Sequence, residues 1–161
     1  MLFFVLCFEM SNYKRLFLEG HSYYLTFVTY ERNPILIENI ELLRESFRES
    51  KKYFNYKIDA IVILPDHVHM IITPKNSLDY PKIIQAIKYN FSKRYEERDE
   101  FFQSHSRNKR KMRAVWQRRY YEHTIRDEKD WLEKMDYMRT NPIKHKLVEN
   151  LKDWQYSSFS R

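Results

Sequence analysis

Four stretches of the chain are rich in β-branched and aromatic residues, a composition typical of β-strands. They cover residues 21–30, 56–64, 67–73 and 115–123. Asn33-Pro34 closes the first stretch. Pro65-Asp66 predicts a tight turn, after which the chain returns as the third strand.

Apolar residues recur at helical spacing in three other segments. The first starts near Ile40 and fades at residues 53–55, and the second has Pro81 in its first turn. Strand, helix, strand, strand, helix and strand follow one another, and a helix comes last. This order predicts an α+β fold, a ferredoxin-like sandwich with an antiparallel sheet of about four to five strands and helices packed on it.

The last helix is predicted over about residues 128–140. Asp127 caps its start, and Asn141-Pro142 ends it, because a proline disfavours helical geometry in the residue before it. Its apolar face consists of Trp131, Met135 and Met138. Tyr137 lies about 200° from Met135 at 100° per residue, on the polar side. Packing alone does not explain this tyrosine, which is either a surface residue or a catalytic one.

A length of 161 residues suits one domain with one core. We expect residues 11–161 to form it and interpret residues 1–10 as an extension, either disordered or produced by a miscalled start. The apolar opening lacks the cationic region and the cleavage site of a signal peptide and is too short to span a bilayer. With Cys7 as the single cysteine, the sequence predicts a soluble, cytoplasmic protein that does not associate with membranes.

Charge and aromatic content point to a nucleic-acid partner. The chain has 29 Lys and Arg against 22 Asp and Glu, and it contains 13 Tyr. Aromatic rings stack on unpaired bases, and basic side chains attract phosphates. A single glycine, Gly20, excludes the glycine-rich phosphate loops of P-loop and Rossmann proteins.

Seven basic residues and no acidic residue lie between positions 107 and 119. They are Arg107, Lys109, Arg110, Lys111, Arg113, Arg118 and Arg119. This segment is either an arm that binds DNA phosphates or a solvated loop kept open by like charges. Lys88 and Lys93 on the second helix are either a solvated face or an alternative DNA-binding surface.

His67 and His69 are one residue apart at the start of the third strand. Alternate residues of a strand point to the same face, so both imidazoles lie on one side while Val68 points into a core. Two imidazoles placed in this way can bind one cation. The alternative is that both are ordinary polar residues of a strand.

Several short motifs occur in a fixed order along the chain. They are Ser11-Asn12-Tyr13-Lys14-Arg15, Leu64-Pro65-Asp66-His67-Val68-His69, Trp116-Gln117-Arg118, Glu122-His123-Thr124-Ile125-Arg126, Asp136-Tyr137-Met138-Arg139-Thr140-Asn141-Pro142-Ile143-Lys144-His145, and Asp153-Trp154-Gln155-Tyr156-Ser157-Ser158-Phe159. In this order and spacing they resemble the REP-associated tyrosine transposases, which belong to the HUH single-strand DNA endonucleases. The resemblance covers roughly residues 11–160.

The resemblance implies an endonuclease and strand transferase that acts on single-stranded hairpin DNA, as a monomer or a homodimer. It implies that His67 and His69 bind a divalent metal, Mg²⁺ or Mn²⁺, with Asn141 as a third candidate ligand. Tyr137 would be the nucleophile, leaving a 5′-phosphotyrosine and a free 3′-OH. His123 matches a histidine near the active site of the family, but on an aromatic strand it is equally well a core residue.

Two other functions fit parts of the pattern. A domesticated relative would bind hairpin DNA without cutting it, although the intact histidines and Tyr137 argue against this. A ferredoxin-like RNA-binding module would stack bases on its sheet and require neither metal nor nucleophile. One departure from the family is Lys146, which stands where relatives often have glycine.

The basic segment generates a prediction about salt. If it follows DNA phosphates, neutralising Lys109, Arg110 and Lys111 flattens the slope of log affinity against log salt by about 0.7 per contact on single strands, roughly 2 in all. Discrimination between hairpin sequences changes little, because phosphate contacts do not read bases. Titrations at several salt concentrations measure the slope. An unchanged slope would indicate that Lys88 and Lys93, and not the basic segment, form the binding surface.

Overall fold

The computed structural model describes residues 14–98 and 115–160. Its regular elements are β1 (Tyr23–Val28), α1 (Ile40–Tyr53), β2 (Tyr56–Ile63), β3 (His67–Pro74), α2 (Tyr80–Arg98), β4 (Tyr121–Thr124) and α3 (Glu128–Lys144). Short 3-10 helices span Tyr30–Arg32, Ser77–Asp79 and Leu151–Asp153. The proposed extension at residues 1–10 lies outside the described residues.

The four strands form one antiparallel sheet in the order β2-β3-β1-β4. This is the order of a ferredoxin-like sandwich, so the predicted α+β class and architecture are confirmed. Within the described parts of the chain, no helix is both long and apolar enough to cross a membrane.

The register of the sheet assigns each side chain to one of two faces. Thr26 of β1 lies opposite His69 of β3 and opposite Tyr121 of β4, and Tyr24 lies opposite His123. Directly opposed residues point to the same face. One face therefore carries the histidines of both β3 and β4.

The other face packs against α1 and α2 and forms the larger core. Its strand residues are Tyr23, Leu25, Phe27, Val68, Met70 and Ile72, and its helix residues include Leu43, Phe47, Ile84, Ile87 and Phe91. The spacing of the helix residues is the one that predicted these helices. Val68 lies in this core, as the alternation around the two histidines requires.

The face with the histidines is covered by α3. Met138 of this helix packs on Tyr24 and Ile71 from the sheet, and Trp131 and Met135 lie partly buried beside them. The predicted apolar face of the helix is thus confirmed, with Met138 fully buried and the other two residues partly buried. On the polar side of the helix, Tyr137 is 39% exposed, whereas Asn141 is buried.

The expected end of the last helix at Asn141-Pro142 is wrong, since α3 continues to Lys144. The missing N–H of Pro142 removes one bond, to the carbonyl of Met138, in the last turn of the helix. Asn141 and Pro142 are both buried. The burial of these two residues outweighs the local preference against helix before proline.

The fourth strand is shorter than its predicted range of residues 115–123. Regular pairing with β1 starts only at Tyr121, while Trp116 forms an isolated bridge with Thr29. The indole of Trp116 packs between Phe27 and Phe91 in the larger core. Trp116, near the start of the predicted strand, therefore anchors this segment in the larger core.

The segment after α3 returns to the outer edge of β2. Ile63 N–H donates to the carbonyl of Tyr156 at 2.8 Å, and Ser158 N–H donates to that of Ile61 at 2.9 Å. The Trp154 indole N–H donates to the Ile63 carbonyl at 2.9 Å. These bonds satisfy edge groups that would otherwise be open to pairing with another chain.

Lys146 ends α3 in a left-handed conformation, with φ of 57°. Its N–H donates to Ile143 and the next N–H, of Leu147, donates to Pro142, at 2.8 and 2.9 Å. This pattern is a Schellman motif, in which the left-handed position favours glycine. The family resemblance places a glycine here, and the backbone now gives the reason.

Lys146→Gly is expected to raise the free energy of unfolding by about 1 kcal/mol, because glycine has no Cβ penalty in this conformation. Denaturant titration measures the change. Lys146→Ala is the matched control, since it removes the same charge and keeps the Cβ. Equal effects of the two substitutions would show that the backbone at this position is not strained.

Candidate active site

His67 and His69 lie side by side at the start of β3, beneath α3. Their ring centroids are 4.8 Å apart with the planes at 86°. Both residues are buried. The pair is thus held on one face of the sheet, in a site closed by the helix above it.

His67 is oriented by a chain of charged groups. Its Nδ1 is bonded to one oxygen of Asp66 at 2.5 Å, and Arg32 donates to the other at 2.9 Å. Burial alone would raise the pKa of Asp66, but the bonds from His67 and Arg32 outweigh it and lower that pKa to about 2. With Nδ1 turned to a carboxylate, Nε2 of His67 is the nitrogen left for a ligand.

The turn that supplies Arg32 has an unusual backbone. Glu31 and Arg32 have φ of 51° and 55°, in the left-handed region. Two consecutive non-glycine residues in this region are costly and persist where the surroundings hold them. The turn directs the guanidinium onto Asp66, so the strain supports the orientation of His67.

His69 is oriented by two hydroxyl groups. Its Nδ1 lies 2.8 Å from the Tyr24 oxygen and 2.6 Å from the Thr26 oxygen. Burial, followed by the nearby charge of His67, lowers the pKa of His69 well below its usual value. The ring is therefore neutral, which is the form of imidazole that binds metals.

α3 brings three residues over the histidine pair at intervals of four. The ring of Tyr137 lies 5.4 Å from that of His69, and the ring of His145 lies 5.1 Å from that of His67. Asn141 is midway between them along the helix. Residues four apart stack on one face of a helix, so Asn141 faces the same site.

The donor atoms of this site fit a divalent cation. Nε2 of His69 and Oδ1 of Asn141 are buried, and neither has a hydrogen-bond partner among residues 14–98 and 115–160. Buried polar atoms are rarely left unpaired in native proteins. Two imidazole nitrogens and an amide oxygen are a ligand set that suits Mn²⁺ and accommodates Mg²⁺.

The known proteins that this chain resembles in sequence and in fold include several transposases. A family model described as transposase IS200 like matches residues 18–140. A Haemophilus influenzae protein assigned as a REP-associated tyrosine transposase is 38% identical over 154 residues, covering 94% of this chain and 87% of that protein. The Escherichia coli REP-associated tyrosine transposase is 31% identical, with 94% and 84% covered.

This chain belongs to the IS200-like transposases, in the REP-associated tyrosine group. A solved structure of a REP-associated tyrosine transposase bound to a REP hairpin matches with a TM-score of 0.77 and 29% identity, covering 94% of this chain and 84% of that one. The protein is accordingly an enzyme of the tyrosine transposase class.

His123 of the transposase lies on the same face of the sheet as the histidine pair, and its side chain is bonded to α3. Its Nε2 is 2.7 and 2.8 Å from the two carboxylate oxygens of Asp130, in the first turn of that helix. Burial alone would raise the pKa of Asp130, yet the bonds from His123 and from the Arg126 N–H lower it. His123 thereby joins the start of α3 to the strand β4. This role is intermediate between the two that the sequence predicts, a residue near the active site and a core residue.

The basic residues proposed for DNA binding have different environments. Lys88 Nζ donates to the Gln117 carbonyl at 2.7 Å, and burial lowers its pKa to about 8. It holds the segment around Trp116 against α2. Arg118 and Arg119 are exposed, and Lys93 is on the exposed side of α2. Arg107, Lys109, Arg110, Lys111 and Arg113 lie outside the described residues.

Sequence reasoning missed three residues that the structure places at or next to the candidate site. His145 appeared within a motif, but its spacing of four from Asn141 would have placed it on the same helical stripe. Asp66 was interpreted only as a turn residue, although a carboxylate directly before a candidate ligand is a common way to orient it. Arg32 carried no signal, because its role depends on a turn whose geometry is not encoded in any local pattern.

Proposed function

We propose that this protein is a divalent-metal-dependent endonuclease and strand transferase that acts on single-stranded hairpin DNA through a covalent Tyr137 intermediate. The observation that carries the proposal is the position of the Tyr137 ring beside His69, with Asn141 one turn further along α3. The proposed nucleophile therefore lies beside a candidate metal ligand. The REP hairpin bound by the related structure supports the choice of substrate.

The residues of the chain supply position and charge. His67, His69 and Asn141 would hold the cation, each fixed by a neighbour or by helix packing. A bound Mg²⁺ or Mn²⁺ would polarise the scissile phosphate and offset the charge that develops on its oxygens. Lys144, whose Nζ lies 4.9 Å from the Tyr137 ring centroid, adds positive charge at the same place.

The reaction begins when the hydroxyl oxygen of Tyr137 attacks the phosphorus. The bond from phosphorus to the 3′ oxygen breaks, and a 5′-phosphotyrosine forms. The phenolic proton leaves to solvent, to which the side chain is 39% exposed, and the departing 3′ oxygen gains a proton. Attack by the same or another 3′-OH reverses the step, so strands are joined without a nucleotide cofactor.

The cellular setting follows from this function. We propose a cytoplasmic enzyme that meets its hairpin in single-stranded DNA, as a monomer or a homodimer. Arg118 and Arg119, with the basic residues that precede them in the sequence, would contact phosphates of the DNA. Such contacts position the strand, whereas its sequence is read through contacts to the bases and through DNA shape.

Tyr137→Phe is expected to abolish formation of an SDS-stable protein–DNA adduct while hairpin affinity stays nearly unchanged, because only the hydroxyl is lost. Gel electrophoresis with labelled hairpin DNA measures both adduct and binding. Tyr53→Phe is the matched control, an exposed tyrosine at the opposite end of the sheet. An equally strong adduct from the Tyr137 variant would reject this residue as the nucleophile.

His69→Ala is expected to weaken Mn²⁺ binding by about 10-fold or more and to remove cleavage, because one of few protein ligands is lost. Calorimetric titration with Mn²⁺ measures the metal directly, and hairpin affinity verifies folding. His21→Ala, at the other end of the sheet, is the control. Full cleavage by the His69 variant in the presence of EDTA would make the histidine pair structural.

A further inference from the structure

Tyr121 lies in the same row of the sheet as His69. Both residues are paired with Thr26, on opposite sides of it, so all three side chains point to the face beneath α3. The backbones of His69 and Tyr121 are therefore two interstrand spacings apart, about 10 Å. Tyr121 opens β4, which is the edge strand of the described sheet.

The buried Tyr24 connects Tyr121 to the proposed nucleophile. Its ring centroid lies 6.1 Å from that of Tyr121 and 6.5 Å from that of Tyr137, in both cases with the rings edge to face. Tyr121 is 53% exposed, whereas Tyr24 is buried. Two exposed rings, those of Tyr121 and Tyr137, thus contact the same buried ring.

Positive charge borders the same surface. Lys134 of α3 places its Nζ 5.4 Å from the Tyr24 ring centroid. Lys144 places its Nζ over the ring of Tyr137. Among the described residues neither lysine is part of an ion pair, so both remain available for phosphates.

We propose that Tyr121 is the stacking platform for one unpaired base next to the phosphate that Tyr137 attacks, with Lys134 contacting the adjoining phosphate. The inference rests on the proposed function and adds to it the subsite that holds the strand in register. An aromatic face supports any base without reading its edge. The platform therefore positions the strand, and it contributes little to sequence choice.

The ring of Tyr121, not its hydroxyl, performs this role. No hydrogen bond to the hydroxyl is formed within the described parts of the chain. Burial, and then the charge of Asp130, raises the pKa of Tyr121. Both features make the phenol a poor second nucleophile, and neither affects stacking.

The test combines a protein variant with a DNA lesion. Hairpin DNA is prepared with single abasic sites at each nucleotide flanking the scissile phosphate, and affinity and adduct rate are measured for wild type and Tyr121→Leu. One lesion is expected to cost wild type about 10-fold in affinity, the scale of one stacked base. Tyr121→Leu should show the same loss on intact DNA and no further loss on that lesion.

Two controls separate stacking from a general structural effect. Tyr121→Phe, which retains the ring, is expected to restore the dependence on that base. Tyr53→Leu removes an exposed tyrosine far from the site and should leave that dependence unchanged. A Phe variant as defective as the Leu variant would assign the effect to the hydroxyl and overturn the platform.

The two proposals fail in different ways. In one outcome, wild type forms the Tyr137 adduct, but the affinity lost through Tyr121→Leu multiplies with the affinity lost at every abasic site. The platform is then wrong and the proposed function stands. If wild type binds with the expected coupling at one base yet forms no adduct, the platform stands and the function is wrong. Loss of affinity spread evenly over all lesions also overturns the platform.

Discussion

The antiparallel pairing of β1 with β3 is the constraint on which the site depends. It places Thr26 opposite His69, which brings both the threonine hydroxyl and that of Tyr24 to one imidazole nitrogen. A shift of one residue would turn both histidines into the core formed with α1 and α2. The register is fixed by that core, in which Val68, Met70 and Ile72 are all fully buried. Hydrophobic packing on one face thus fixes the chemistry on the other.

α3 completes the site because it has two contact faces. Met138 anchors it in the apolar cluster, and its polar stripe presents Tyr137, Asn141 and His145 to the histidine pair. The hydrogen bonds between His123 and Asp130 hold its first turn, and the left-handed Lys146 ends it about one turn after Asn141. Contacts at both ends of the helix therefore fix the position of the Tyr137 ring. A nucleophile on a flexible segment would lose the rate advantage that fixed positioning gives.

The fold could be predicted from the sequence, because each long element carries a clear period and the order of elements allows few topologies. The pairing of the two histidines also followed from strand alternation alone. The end of α3 could not be predicted, since the burial of Asn141 and Pro142 outweighs the local preference against helix before proline. The roles of His145, Arg32 and Tyr121 depend on the register of the strands and on how α3 docks on the sheet. Local sequence patterns specify neither of these.

The central claim is that the hydroxyl of Tyr137 forms the covalent bond to DNA. The most direct measurement is mass spectrometry of the wild-type adduct after digestion with nuclease and trypsin. Trypsin cuts after Lys134 and Arg139, which isolates Tyr137 in the peptide Met135-Asp136-Tyr137-Met138-Arg139. We expect the residual 5′-phosphonucleotide on this peptide alone. Its presence instead on the peptide that begins at Tyr120 and contains Tyr121 would contradict the account.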